Sequence, residues 1–468
     1  MENKRIIMLL AAASAASVAF AAETEIPATN AAPEIAEVEA GEAMAMSELA
    51  PKEEDLFKMG GDVRLREVYF NNIPYNIGAQ ARGGENEFQR YRLRLWGELH
   101  PAEDLYFRTR AVYEFRTGSK GTARQGWESE DEIVFDNLFV DWKLDDIAFR
   151  IGRQDLIYGT GKVILDGTPK DGSRTIYFNA AKASYTGIED TTVDFLAMYM
   201  PSEDELAIHG QDRDLIGKTG GYYHGDEVGG GVYAKNQSCE ALPFEAYYLI
   251  KTQEGEWTSP ATGISHDDEV RHTFGTRLMP KFSETLSGNL ELAYQTGDDI
   301  SAYMIDSLVT LKLTALDDLK ASVGLGWYHL SGDDPSSSTD EGWNPLWARW
   351  PQYSELYVYS YDTEGAGRWS NVSMPHIDFS ISPFERLKMD FLLGYMFAPE
   401  DDGVGGGHNR GLLFTLWNKF TIGEGMFSEK DKLTGHLLIE LMQPDDYYSS
   451  NQENETAAFI RAELSYAF

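Results

Sequence analysis

The chain has 468 residues, 76 acidic and 40 basic side chains, and a formal net charge of −36. So acidic a protein does not bind nucleic acid through its phosphates, which requires clustered Lys and Arg. Tyr (25), Phe (23), Trp (10) and Gly (44) are abundant, and the single cysteine, Cys239, cannot form an intrachain disulfide. This composition suits an aromatic-rich strand protein better than a soluble α/β enzyme.

The first element is an export signal. Lys4 and Arg5 precede an apolar run from Ile6 to Phe20, and Ala19-Phe20-Ala21 is a cleavage site. The run is short for a spanning helix, which needs about 20 residues. The reading is a signal peptide over 1–21, whose loss leaves a mature charge of about −37. Residues 22–59 follow as an Ala/Glu/Pro-rich lead, with ten acidic residues between Glu23 and Asp55. Such a segment buries too little apolar surface to fold alone. It reads as a disordered periplasmic tail, too short for a folded plug.

From Gly60 the residues alternate with period two. Strands are expected near 60–70, 88–100, 104–116, 132–143, 147–154, 175–186, 191–201, 229–235, 243–252, 270–280, 285–296, 300–314, 319–330, 369–382, 386–398, 410–420, 432–443 and 455–468. That is eighteen, and single-chain bacterial barrels have an even number. Tight connections such as Leu144-Asp145-Asp146 and Gly187-Ile188-Glu189-Asp190 alternate with long ones such as 155–174, 202–228 and 331–368. The eleventh, Gly297-Asp298-Asp299, is the exception, short where the others are long. A soluble sandwich has no reason to sort its loops by parity. The expected fold is therefore all-β: a closed antiparallel transmembrane β-barrel over 60–468 with short periplasmic turns and long extracellular loops, in the bacterial outer membrane. The last strand supports it. Ile460, Ala462, Leu464, Tyr466 and Phe468 share one face and end the chain, which predicts a closing strand read by the barrel-assembly machinery. The barrel is expected to be monomeric.

The outer loops carry the acidic pairs Asp267-Asp268, Asp298-Asp299, Asp333-Asp334, Asp401-Asp402 and Asp445-Asp446. None has calcium-loop spacing. They read as solvated carboxylates that divalent cations can bridge to lipopolysaccharide phosphates, and no resident metal or cofactor is expected. Nine scattered histidines with no nucleophile–base spacing give no catalytic site.

The chemistry lies on the first five strands. Arg64 and Arg66, then Arg90, Arg92 and Arg94, then Arg108 and Arg110, then Arg150 alternate with apolar neighbours. An arginine facing lipid at mid-membrane costs about 2–4 kcal/mol, so these must face the lumen. Arg153 and Arg174 are expected at its outer mouth. Asp62, Glu98, Glu114 and Asp141 are available partners, so one reading is a ladder of paired struts. The other is an electropositive pore wall for anions, favoured because arginines outnumber those partners.

Further motifs carry a resemblance. Arg150-Ile-Gly-Arg153-Gln154, Tyr158-Gly159-Thr160-Gly161 and Asp166-Gly167-Thr168-Pro169 with Gly172-Ser173-Arg174 form one group. Gly332-Asp333-Asp334-Pro335, Gly342-Trp343-Asn344-Pro345-Leu346 and Arg349-Trp350-Pro351 form another. Both resemble the alginate-export family of outer-membrane channels. The resemblance implies an arginine-lined conduit for an anionic, uronic-acid polysaccharide. The alternative is a general anion-selective porin for small anionic solutes. Loop 155–174, with Lys162, Lys170 and Arg174, either folds inward or stays external. Loop 331–368, with Trp343, Trp347, Trp350, Tyr353, Tyr357 and Tyr359, reads as a packed cap, or as sugar-stacking faces.

Overall fold

The structure is a computed structural model. It describes residues 56–74, 85–120, 126–129, 133–165, 177–201, 226–253, 257–258, 265–266, 268–348, 353–356, 370–401, 403, 405–448 and 455–468. The signal peptide and nearly all of the acidic lead lie outside these residues, as do Arg174, Asp267 and Asp402.

Eighteen strands form the wall. They are β1 (Phe57–Asn71), β2 (Asn86–Ala102), β3 (Leu105–Lys120), β4 (Val134–Leu144), β5 (Ile147–Gln154) and β6 (Phe178–Ile188). Then come β7 (Thr191–Met200), β8 (Glu227–Asn236), β9 (Phe244–Gln253), β10 (Glu269–Leu278), β11 (Leu286–Gly297) and β12 (Ile300–Lys312). The last six are β13 (Ser322–Leu330), β14 (Val372–Phe384), β15 (Leu387–Phe397), β16 (Asn409–Glu424), β17 (Lys432–Pro444) and β18 (Ala457–Ala467). Each pairs antiparallel with its sequence neighbours, and β1 pairs with β18, so the sheet closes. The short strand Gly126–Ser129 extends β3 beyond the wall. β1 starts at Phe57, three residues before the alternation suggested. Closure leaves no unpaired edge, as a lipid environment demands.

Period-two alternation sorts the faces. Val63, Leu65, Leu93, Leu95, Phe107, Ile151, Phe195 and Leu325 are exposed, while Arg64, Arg92, Arg110, Asp194 and Tyr328 on the same strands are buried. The outward set forms the apolar lipid face and the inward set fills the lumen. At the C-terminus, Gly61 and Phe468 exchange two backbone hydrogen bonds of 2.9 and 3.0 Å, and Phe468 remains half exposed.

The turns follow the expected parity. Asp145, Asp190 and Asp299 adopt left-handed φ angles of 42°, 52° and 57° in the tightest of them. Aspartate tolerates that region better than most residues because its short side chain bonds locally. The β12–β13 turn is a short 3₁₀ segment, Thr314–Leu319, rather than a bare tight turn. The short β11–β12 connection on the long-loop rim has a structural reason. Asp340 of the β13–β14 loop lies on it, with Asp340 N donating to Asp299 O (2.6 Å) and Ser301 N to Asp340 O (2.9 Å). The neighbouring loop takes the place of a long one.

Candidate functional site

The β1–β5 wall is a continuous grid of guanidinium and carboxylate groups. Strand register sets it: Arg64 faces Arg92, Arg66 faces Arg90 and Asp62 faces Arg94 across β1–β2, while Glu98 faces Arg108 across β2–β3. Arg92 and Arg94 both bind Asp62, at 2.9 and 2.6 Å. Arg90 reaches Glu114 at 2.6 Å and Arg64 approaches it at 3.6 Å. Arg66 binds Glu463 of β18 at 2.6 Å. Arg108 pairs with Glu98, Arg110 with Asp136 (2.7 Å) and Asp155 (2.9 Å), and Arg150 with Asp141 (2.6 Å).

The expected shortage of partners is thus only partial. Glu463, Asp136 and Asp155 supply three carboxylates absent from the sequence-based set. Glu463 is distant in sequence but lies beside β1 because the sheet closes. Closure together with alternation would have placed it there. Among the described residues, Asp62, Glu114 and Glu463 are each shared by two arginines of this grid.

Exposure separates these arginines. The side chains of Arg64, Arg66, Arg92 and Arg110 are 1, 2, 5 and 8 % exposed. Those of Arg90, Arg94, Arg108 and Arg150 are 12, 16, 20 and 23 % exposed. The first four hold the wall together and the second four present charge to the lumen. Arg108 lies over Trp96 and Arg150 over Phe139, at 4.7 and 4.4 Å from the ring centroids, so cation–π contact orients both.

Arg153 has a different task. It is buried, donates to Phe135 O (2.8 Å) and Asn179 Oδ1 (3.0 Å), and stacks on Tyr177 at 3.8 Å. Its neighbour Gly152 has φ +128°, and a Cβ there would lie 2.2 Å from Leu138 O. Gln154 is fully buried and donates to Ala180 O (2.9 Å). The Gly-Arg-Gln step therefore fastens the end of β5 and launches the loop that follows.

That loop turns inward. Over 155–165 it crosses the lumen from β5 to β12. Tyr158 Oη donates to Asp194 of β7 (2.7 Å), Thr160 Oγ1 to Glu291 of β11 (3.2 Å), and Lys162 Nζ pairs with Asp306 of β12 at 2.9 Å. The β13–β14 loop also enters. Its segment Trp347–Ala348 pairs in parallel with Ile164–Leu165. Tyr353 donates to Asp306 (2.7 Å), and Glu355 binds Arg461 of β18 at 2.9 Å. Trp343 and Trp347 are buried, so the described tryptophans of this loop pack against the barrel interior rather than stand open as a cap. Lys170, Trp350, Tyr357 and Tyr359 lie outside the described residues.

The two loops reach β7, β11 and β12 on one side, where tyrosines meet carboxylates (Tyr233 to Glu245, 2.5 Å; Tyr247 to Glu291, 3.0 Å), and also β17 and β18 through Ser354 and Glu355. The arginine wall of β1–β5 lines the lumen beside them. In the described loops the acidic pairs shape the chain. Asp333 accepts from Glu341 N (3.0 Å), Asp334 from Ser336 N (2.8 Å) and Asp446 from Asn409 N (2.8 Å).

No family model matches the chain, and no curated protein does. Solved structures share its fold. Pseudomonas aeruginosa OpdK with vanillate has a TM-score of 0.57 at 11 % identity, covering 88 % of this chain and 98 % of that one. P. aeruginosa OccK2 (OpdF) in complex with glucuronate has a TM-score of 0.53 at 12 % identity, with the same coverages. P. aeruginosa OccK5 (OpdH) has a TM-score of 0.53 at 14 % identity, again covering 88 % and 98 %. These neighbours support the outer-membrane β-barrel that the resemblance implied, and none of them is an alginate exporter. Of the motifs that carried the resemblance, Gly152-Arg153-Gln154 ends β5, while Tyr158-Gly159-Thr160-Gly161 and Trp343-Asn344-Pro345-Leu346 lie in the two inward loops. With eighteen paired strands, sorted loops and an apolar outer face, the chain is a β-barrel of the bacterial outer membrane.

Proposed function

We propose that this barrel is a passive, anion-selective channel for small anionic solutes, carboxylates foremost. The carrying observation is the placement of Arg90, Arg94, Arg108 and Arg150, the more exposed guanidinium groups, on the inner face of the β1–β5 wall of a lumen that two loops narrow. A planar guanidinium binds carboxylate through two parallel N–H donors. The guanidinium faces that reach the lumen can bind an arriving anion beside their resident carboxylates. The field of the wall raises the local anion concentration. Passage needs binding weak enough to release, and sharing with resident carboxylates keeps it weak.

The inward loops favour small solutes over the alginate-like polymer that the motifs suggested. Among the fold neighbours, OpdK was crystallised with vanillate and OccK2 with glucuronate, both small carboxylates. Solute uptake into liposomes carrying the purified barrel tests this. Monomeric uronates should enter faster than neutral sugars of the same size, and long uronate polymers should not enter. Equal rates for charged and neutral sugars would count against the reading.

A further inference from the structure

The two inward loops come from distant stretches of sequence, yet they meet as one body. We propose that residues 155–165 and 342–348 form a single clasp, seated by Trp347 in a notch at Gly229, and that this clasp sets the size limit of the pore. The inference rests on reading the barrel as a diffusion channel.

The contacts between the loops are backbone ones. Trp347 pairs with Ile164 and Ala348 with Leu165, and Trp347 N donates to Val163 O at 3.0 Å. Neither segment is long enough to hold itself as a strand, so each needs the other to satisfy its buried backbone groups. Trp347 is fully buried. Its ring and the Ile250 carbonyl of β9 together fill the space that a side chain at Gly229 of β8 would occupy, for a Cβ there would lie 2.5 Å from Trp347 Cη2 and 2.4 Å from Ile250 O. Beside it, Lys251 of β9 stands 5.7 Å from the indole centroid, pairs with Glu227 at 3.1 Å and donates to Leu346 O at 3.1 Å. Leu346 has φ +53°, unfavourable for leucine, and Asn344 Oδ1 accepts its N–H at 2.8 Å. The far end of the clasp is tied by Lys162 to Asp306. A body fixed at β8–β9 by one loop and at β12 by the other comes free as a unit or not at all.

The test is a double-mutant cycle read by single-channel conductance and by permeation of neutral polyethylene glycols of graded size. Trp347→Ala and Lys162→Met should each raise conductance about two-fold and admit larger glycols, and the double variant should do no more than the larger single effect, because coupled sites are non-additive. Gly229→Ala, whose methyl group meets both the Trp347 ring and the Ile250 carbonyl of the barrel wall, should give the same widening in a barrel that still folds. Heat-modifiable mobility on gels checks that each barrel is folded. Multiplying single effects in the double variant would overturn the clasp, as would Gly229→Ala with unchanged conductance and cut-off. Ion selectivity reports on the arginine wall and is read separately. A cation-selective wild type would defeat the proposed function, while the conductance cycle would still decide whether the two loops act as one clasp.

Discussion

Arg64 and Arg150 differ in what their burial allows. Arg64, 1 % exposed between Glu114 and Glu463, is a strut. Arg150, bound to Asp141 and Tyr106 yet 23 % exposed, faces the passage. Charge reversal at Arg108 and Arg150 should therefore shift selectivity towards cations. The shift should shrink as salt rises, since fields are screened within about 10 Å at 0.1 M. Arg66→Met makes the contrast. It leaves Glu463 with a weakened set of partners and should cost about 3 kcal/mol of stability, the usual scale for breaking a buried pair, while the sign of selectivity stays. Unfolding in urea and reversal potentials of the three variants separate these effects. The inward orientation of the arginines is legible from alternation and lipid cost alone. Their division into struts and exposed groups is not, because it depends on Glu463, Asp136 and Asp155, which only the closed and folded sheet brings near.

At the level of elements, the strands are plainer in the sequence than the inward loops. Eighteen segments show period two because each faces lipid on one side and the lumen on the other. The lysines and glycines of loop 155–174 leave its direction open in the sequence, but Leu156, Val163, Ile164 and Leu165, all buried, are the signal for an inward turn. What turns residues 155–165 inward is Tyr158 meeting Asp194 and Lys162 meeting Asp306, pairs set by strands far along the chain. The β16–β17 turn is self-contained by comparison. Asp431 accepts from Met426 N (2.6 Å), Phe427 N (2.6 Å), Ser428 N (3.0 Å) and Tyr466 Oη (2.9 Å). Desolvation pushes its carboxyl up, but these donors outweigh it and hold the group below the ordinary carboxylate range. A lowered pKa contributes stability that is complete above the ordinary value and is lost as pH falls through the lowered one. Asp431→Ala should lower the urea midpoint at neutral pH, and the difference from wild type should vanish in strong acid. A difference that persists there would assign the effect to something other than the ionised carboxylate.

For the whole molecule, the formal charge of −36 and an arginine-rich wall coexist because the charges are sorted. Acidic pairs sit in the connecting loops, where Asp333, Asp334 and Asp446 order the chain. The β1–β5 wall carries more guanidinium than carboxylate. Composition alone points away from an anion channel, and the position of each charge along an alternating strand points towards one. The measurement that tests this most directly is the reversal potential of the purified barrel in a planar bilayer under about a tenfold potassium chloride gradient. On the proposed function the arginine wall selects the permeant ion, so the potential should lie on the chloride side of zero and move towards zero as the salt on both sides is raised. A potential on the potassium side would mean that the loop carboxylates, and not Arg90, Arg94, Arg108 and Arg150, control permeation.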